Sequence, residues 1–406
     1  MNKNGARKLL VPFLTGMFLL HALVFWSLRE KIRQGYSDFS IFYTAGMIFR
    51  QGHADRLYDT GLQFRIQREF ASQVYIRQGA LPYNHPPFEA VLFAPLAGLS
   101  YPAAYTAWDL LNLAILAALP FLLRSYVPLL QRYPTVLWWL AMLAFFPVFA
   151  ALLQGQDSIL LLLIFSLIYI AFRKNQEFAV GCWLGLGLFR FHLVLPLMLI
   201  LLLHRKRKAL LGFLLVAVGL GLLSVGLVGW KEALHYPAYV WSVEKSTALV
   251  ASLISAMPNL RGFVHMFFPW TRRVAVGVSV VSALLLLFTS LRWDDSPLNQ
   301  RFDLSFSLAT VATVLLSYHV LAHDLCLLLL PLLLLANDFE KSGLPGGRRG
   351  IALLGPMIVL FLSPVQMLLW FRFGQFSLLA PVLLLWFYGI SRELSDRTAG
   401  AYLRAA

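Results

Sequence analysis

Apolar runs long enough to cross a lipid bilayer recur along this chain from Leu9 to Ile390. Crossing a hydrocarbon core of about 30 Å takes roughly 20 apolar residues in a helix, and every crossing segment must satisfy its own backbone hydrogen bonds. Membrane-spanning strands of about 10 residues would alternate polar and apolar side chains, and these runs do not alternate. The expected fold class is therefore all-α: a polytopic integral membrane protein, with residues 1–406 forming one domain. Composition enters only to exclude the alternative, since a chain with 59% hydrophobic and 13% charged residues does not describe a water-soluble core.

Basic residues orient the runs. Lys3, Arg7 and Lys8 precede a first run, 9–28, that lacks a small-residue cleavage site; it reads as an uncleaved first span with the N-terminus inside. Further spans follow at 103–123, 134–153 and 158–172. The run 178–203 divides into two short helices meeting near Arg190 on the outer side. Spans at 209–229, 274–291, 303–318, 325–336, 350–370 and 376–390 complete a bundle of about twelve helices. With the long first outer loop set aside, most of the 34 Lys and Arg fall on the inside. The net charge of +15 thus reflects topology and anionic lipid, and no nucleic-acid partner is expected.

Two outer loops result, 29–102 and 230–273. The first carries weakly amphipathic pieces at 38–51 and 62–77, then an apolar piece at 88–99 that is too short to span and reads as an interfacial helix. Cys182 and Cys326 lie in separate apolar runs without a CxxC or metal-ligand spacing, and read as small buried hydrophobes.

This topology gathers the unusual polar groups on the outer face, where ionisable residues at membrane depth cost about 2.5–3.5 kcal/mol and mark functional sites. Asp38 has two readings: a cap for a helix starting at Phe39, or a general base whose acidity burial can adjust. His319 and His323 share a helical face with Asp324 beside the second. The spacing could ligate zinc, but no Glu adjoins the first His and no third ligand is evident, so hydrogen bonding to a phosphate or sugar is preferred and no metal is expected. Arg190 and His192 interrupt an apolar run and suit an anionic phosphate, the alternative for Arg190 being an ion pair within the bundle, for instance with Asp157. Arg261, in Pro-Asn-Leu-Arg-Gly, is a second phosphate candidate. Gln154-Gly155-Gln156-Asp157 is either a tight turn or a site lining. No nucleotide-binding glycine loop, GxSxG or HExxH occurs, so an activated donor already in the membrane would suit the chain.

The order of motifs carries a resemblance. Asp38-Phe-x-x-Phe-Tyr-x-Ala-Gly46 after the first span, Gly52 with Leu57-Tyr58, Tyr83-x-x-Pro-Pro87, Gln154-Gly-Gln156, Met257-Pro-Asn-Leu-Arg-Gly262 and His319-x-x-x-His323-Asp324-Leu resemble glycosyltransferase family 87 over nearly the whole chain. These GT-C enzymes are similar to polyprenol-phosphate-mannose-dependent α-mannosyltransferases. The resemblance implies a GT-C bundle and an inverting transfer of a sugar, usually mannose, from a polyprenyl phosphate to a hydroxyl on the outer face of a prokaryotic cytoplasmic membrane. Asp38 matches the family's catalytic aspartate, and His323 with Asp324 its late polar motif. Arg190-Phe-His192 departs from it, Lys being expected there. Taken together with the residues' own chemistry, the expected roles are Asp38 as base; Arg190, His192, Arg261 and His323 around the phosphate; and Tyr43, Tyr58, His85, Gln154, Gln156, Asn259, His319 and Asp324 near the sugar or acceptor. No cofactor or metal is implied, and the partners are the lipid-linked donor, a glycolipid or glycan acceptor, and membrane lipid. The alternatives are a transporter or flippase of a lipid-linked sugar, which would more often show inverted repeats, and a noncatalytic membrane subunit.

Overall fold

A computed structural model describes residues 3–73, 81–245, 253–296 and 299–405, and among these the chain is helical with no strand. Among the described residues seven helices are long and apolar enough to cross a membrane, or up to nine if each of two bent pairs is one span. The count falls short of the expected dozen largely through length. Ser158–Arg173 has 16 residues and Gln300–Leu316 has 17, and 16 residues rise only about 24 Å, less than a hydrocarbon core. The reverse holds late in the chain, where the apolar stretch expected at 325–336 belongs to a continuous run of 21 helical residues, Ala322–Ser342.

The run containing Arg190 is a hairpin. By length and composition Glu177–Leu203 could be a single span, yet Lys206 Nζ lies 3.3 Å from Glu177 Oε1, so its two ends meet. A Cβ on Gly187 would stand 2.8 Å from Val194 Cγ2, whereas residues seven apart in a straight helix are separated by about 10.5 Å. The chain therefore reverses through the 3-10 turn Gly187–Arg190, as the sequence suggests, and lifts Arg190 to the tip.

Both bent pairs break at a helix start bearing proline, which suits the first turn and not an interior. Thr135–Leu143 and Phe146–Gln154 meet at 67°, and Gly347–Phe361 and Ser363–Phe373 at 66°. His21, buried on the first helix, Lys3–Arg33, joins the two bends: its Nδ1 lies 2.8 Å from the Leu143 carbonyl and its Nε2 2.9 Å from Ser363 Oγ, while its ring stacks on Phe149 at 4.6 Å.

The two long loops expected on the outer side pack on each other. Phe39–Arg50 and Thr60–Phe70 are helices; the second begins where the Asp59 side chain accepts from Leu62 N–H at 3.0 Å, and residues 74–77 of the expected amphipathic piece lie outside the described residues. The apolar stretch 88–99 is not one helix. It forms three short turns, Pro87–Glu89, Ala90–Phe93 and Leu96–Gly98; Pro86 and Pro87 start the first and Pro95 interrupts the stretch. The helix from Arg207 breaks at Gly229 (φ 81°), and the part beyond lies on the first loop: Glu232 accepts from Tyr58 N–H at 2.8 Å, and the rings of Tyr236 and Tyr239 lie 5.5 and 4.8 Å from Tyr58. Cys326 is buried as expected, whereas Cys182 is only partly so.

The pairs Arg173–Asp303, Lys206–Asp295, Arg349–Glu393 and Arg397–Asp338 occupy the end of the bundle opposite Asp38. A cleft lined by Phe172, Glu177, Lys206, Trp293 and Asp295 opens there.

Candidate active site

The site is organised by a turn. Helix Phe146–Gln154 ends at Gly155, whose φ of 62° is left-handed and favours glycine. A Cβ there would lie 2.7 Å from Phe39 Cβ and 3.1 Å from Tyr105 Cε2. Only a residue without one lets the Gln154-Gly155-Gln156 turn approach the start of helix Phe39–Arg50. Once there, Gln154 Oε1 accepts from the Asp38 backbone N–H at 3.0 Å, and Gln156 Nε2 donates to Asp38 Oδ2 at 2.9 Å.

Asp38 occupies the N-cap position of that helix but makes no side-chain cap bond. Its half-buried carboxylate is turned to Gln156 instead, so the side chain does not act as the cap that one reading of the sequence expects. The Gln156 carboxamide also accepts, through Oε1, from the Arg190 guanidinium. Arg190 is buried and donates to Asp157 Oδ1, 2.7 Å from Nε, and its Nη1 lies 3.6 Å from Asp324 Oδ1. The ion pair with Asp157 foreseen within the bundle is therefore present.

On the far side of Arg190, Asp324 Oδ2 accepts from Leu321 N–H at 2.8 Å and Oδ1 from Ser158 Oγ at 3.1 Å. Ser158 Oγ is also 2.9 Å from His323 Nδ1. With the hydroxyl proton given to Asp324, His323 donates through Nδ1, and its Nε2 is left buried and without a hydrogen-bond partner. Asp38, Gln156, Arg190, Asp324 and His323 thus form one connected polar chain, drawn from the first loop, the Gln-Gly-Gln turn, the hairpin tip and the start of a late helix.

Other expected residues lie off this chain. Tyr43 OH donates to the Leu99 carbonyl and Tyr58 OH to the His85 carbonyl, each at 2.8 Å, so both pin loop segments. Asn259 caps its own helix by accepting from Gly262 N–H at 2.9 Å and ties it to the Ser317 carbonyl at 2.8 Å. The Arg261 guanidinium lies between the rings of Tyr318 (3.8 Å) and Trp270 (5.0 Å). His319 lies outside any helix, so it does not share a helical face with His323, and its ring meets that of His192 edge-on with centroids 6.0 Å apart.

His85 and two acids form a separate cluster. His85 Nδ1 lies 2.7 Å from Glu89 Oε2 and 4.0 Å from Asp157 Oδ2. Burial, then the Arg190 charge, pushes the His85 ring down to about 3. Burial and then the neighbouring Asp157 charge hold Glu89 well above the usual carboxylate range. For Asp157 burial acts upward, but Arg190 next to it wins and the carboxyl lies below its ordinary range. The assignment of site residues from sequence passes over Glu89 and Ser158. Glu89 leaves a signal, a lone acid entering an apolar stretch after Pro-Pro; Ser158 leaves none.

A family model, Glycosyltransferase family 87, matches residues 83–318. The match contains Gln154, Gln156, Arg190, Asn259 and Arg261; Asp38 precedes it and His319, His323 and Asp324 follow it. No curated protein and no solved structure matches the chain.

Proposed function

This chain belongs to glycosyltransferase family 87, and from that membership we propose that it transfers a sugar, mannose in the first instance, from a polyprenyl-phosphate donor to an acceptor hydroxyl, with inversion. The acceptor is a glycolipid or glycan, and the site faces the outer side of a prokaryotic cytoplasmic membrane with the N-terminus inside. Asp38 takes the proton of the acceptor hydroxyl as its oxygen forms the new bond to the anomeric carbon. The bond from that carbon to the phosphate oxygen breaks on the opposite face, and the polyprenyl phosphate leaves with the electron pair.

The observation that carries this reading is the state of Asp38: a half-buried carboxylate at a helix start that makes no cap bond and is held through one oxygen by Gln156. The other oxygen has no hydrogen bond among the described residues. Arg190 serves twice here. It fixes Gln156, and its charge, partly offset by Asp157 and Asp324, belongs with His192, Arg261 and the open Nε2 of His323 to the surroundings of the leaving phosphate. Tyr43, Tyr58, His85 and Asn259 act in this scheme by fixing the loops that bound the sugar and acceptor, and Gln154, His319 and Asp324 lie nearer to them. The family does not favour the transporter alternative.

The test is incubation of the purified protein with a panel of polyprenyl-phosphate sugars and nucleotide sugars, with products read by mass spectrometry. Transfer from polyprenyl-phosphate mannose is expected. Transfer from nucleotide sugars alone would overturn the donor assignment.

A further inference from the structure

We propose that His85, Glu89 and Asp157 form a binding site for a small divalent transition-metal cation of the Zn2+ or Mn2+ type, clamping the first outer loop to the turn that carries Gln156. The ion would be structural and would take no part in the sugar transfer proposed above, and the site departs from the sequence expectation of no metal.

The donor atoms converge: one atom from each of the three residues lies within 4.8 Å of the other two. His85 Nδ1 stands 2.7 Å from Glu89 Oε2 and 4.0 Å from Asp157 Oδ2, separations that a cation with bonds of about 2.0–2.2 Å can bridge. Pro86 and Pro87 start the short turn that sets His85 and Glu89 four residues apart on one side. Asp157 arrives from the Gly155 turn.

A second observation points to a missing partner. Glu89 and Asp157 are each 1% exposed, and Glu89 Oε1 and Asp157 Oδ2 have no hydrogen-bond donor. Arg190 holds Asp157 through the other oxygen, Oδ1, and is shared with Asp324. Among the described residues the sole ion-pair partner of Glu89 is the His85 ring. Two buried carboxyl groups side by side, with no donor from another residue to these oxygens, are costly, and a divalent ion would satisfy both at once.

The ligand set fits that choice. One neutral imidazole nitrogen and two carboxylates suit zinc or manganese, whereas calcium asks for about six to eight oxygens. The imidazole is held in place from outside: Tyr58 OH donates to the His85 carbonyl at 2.8 Å, the Phe42 ring meets it edge-on at 4.9 Å and Tyr83 stacks at 5.5 Å. The occupied site then joins the loop Tyr83–Glu89 to the Gln156–Ser158 turn.

The experiment uses the full-length protein in detergent, stripped with chelator and then dialysed against Zn2+ or Mn2+. Bound metal is measured by mass spectrometry and thermal stability is followed alongside. The expected result is about one equivalent per chain and a higher Tm with metal, with Glu89→Gln lowering affinity at least about tenfold and abolishing the Tm shift. His85→Gln is the second variant should Glu89→Gln fail to fold. Equal metal in the wild type and variants would place the ion elsewhere and overturn the proposal. So would a metal-free wild type whose stability Glu89→Gln preserves, which would mean that a single proton bridges Glu89 and Asp157.

Discussion

The site turns on side chains whose surroundings, not identities, decide their use. Aspartate before a helix is an ordinary cap, and nothing in the residues around Asp38 excludes that use; its side chain becomes available because Gln156, more than a hundred positions later, claims it. His85 shows the same dependence and makes a pH prediction. Its ring, ordinarily near 6.5, is pushed down to about 3. Between those values the unfolded chain binds a proton that the folded chain refuses, so stability falls as pH is lowered from about 6.5 toward 3. Glu89, Asp157, Arg190, Asp324 and His319 also face or influence this ring. Glu89 has the opposite sign, since its raised value makes stability fall as pH climbs above its ordinary 4.5. Thermal melts in chelator at stepped pH should therefore show an acid-side loss in the wild type that is reduced in His85→Gln. Parallel curves for the two proteins would refute the assignment.

At the scale of elements, the decisive pieces are turns. The reversal at Arg190 is legible in sequence because a cationic residue within an apolar run, followed by His204-Arg205-Lys206-Arg207-Lys208, leaves little choice of direction. The Gly155 turn is legible as a motif but not as a contact, since its use depends on Phe39 and Tyr105 lying against it. Gly155→Ala is predicted to cost about 1–3 kcal/mol of stability and to lower turnover by withdrawing Gln156 from Asp38. Chemical denaturation and a transfer assay measure the two effects, and unchanged values would remove the turn from the account. The 88–99 stretch misleads for a plain reason: apolar composition suggests a helix while Pro95 breaks it. The paired bends give a further prediction. His21→Leu leaves the Leu143 carbonyl and Ser363 without their ring partner and should destabilise the protein by about 1–3 kcal/mol; a thermal melt matching wild type would show that the bends do not need it.

For the molecule as a whole, the helical class and the grouping of polar residues at one end follow from apolar runs and basic flanks alone. Span number is less legible. Hydropathy marks Ser158–Arg173 as a crossing, but the chain surrounds that helix with others, so it need not be long enough to meet lipid at both ends. Asp157 is legible as one possible partner of Arg190, but its second partner, Asp324, is the least legible feature, because only packing decides that both reach the same guanidinium. In the proposed transfer these scales meet: the fold presents one carboxylate, steadied from a distance, to an acceptor hydroxyl. It is tested most directly by measuring sugar transfer from polyprenyl-phosphate mannose by purified wild type and Asp38→Asn, with melting temperature and donor affinity measured on the same preparations. The account predicts a fall in turnover of about 100- to 10,000-fold with stability and donor affinity unchanged. Turnover of Asp38→Asn close to the wild-type rate would contradict it.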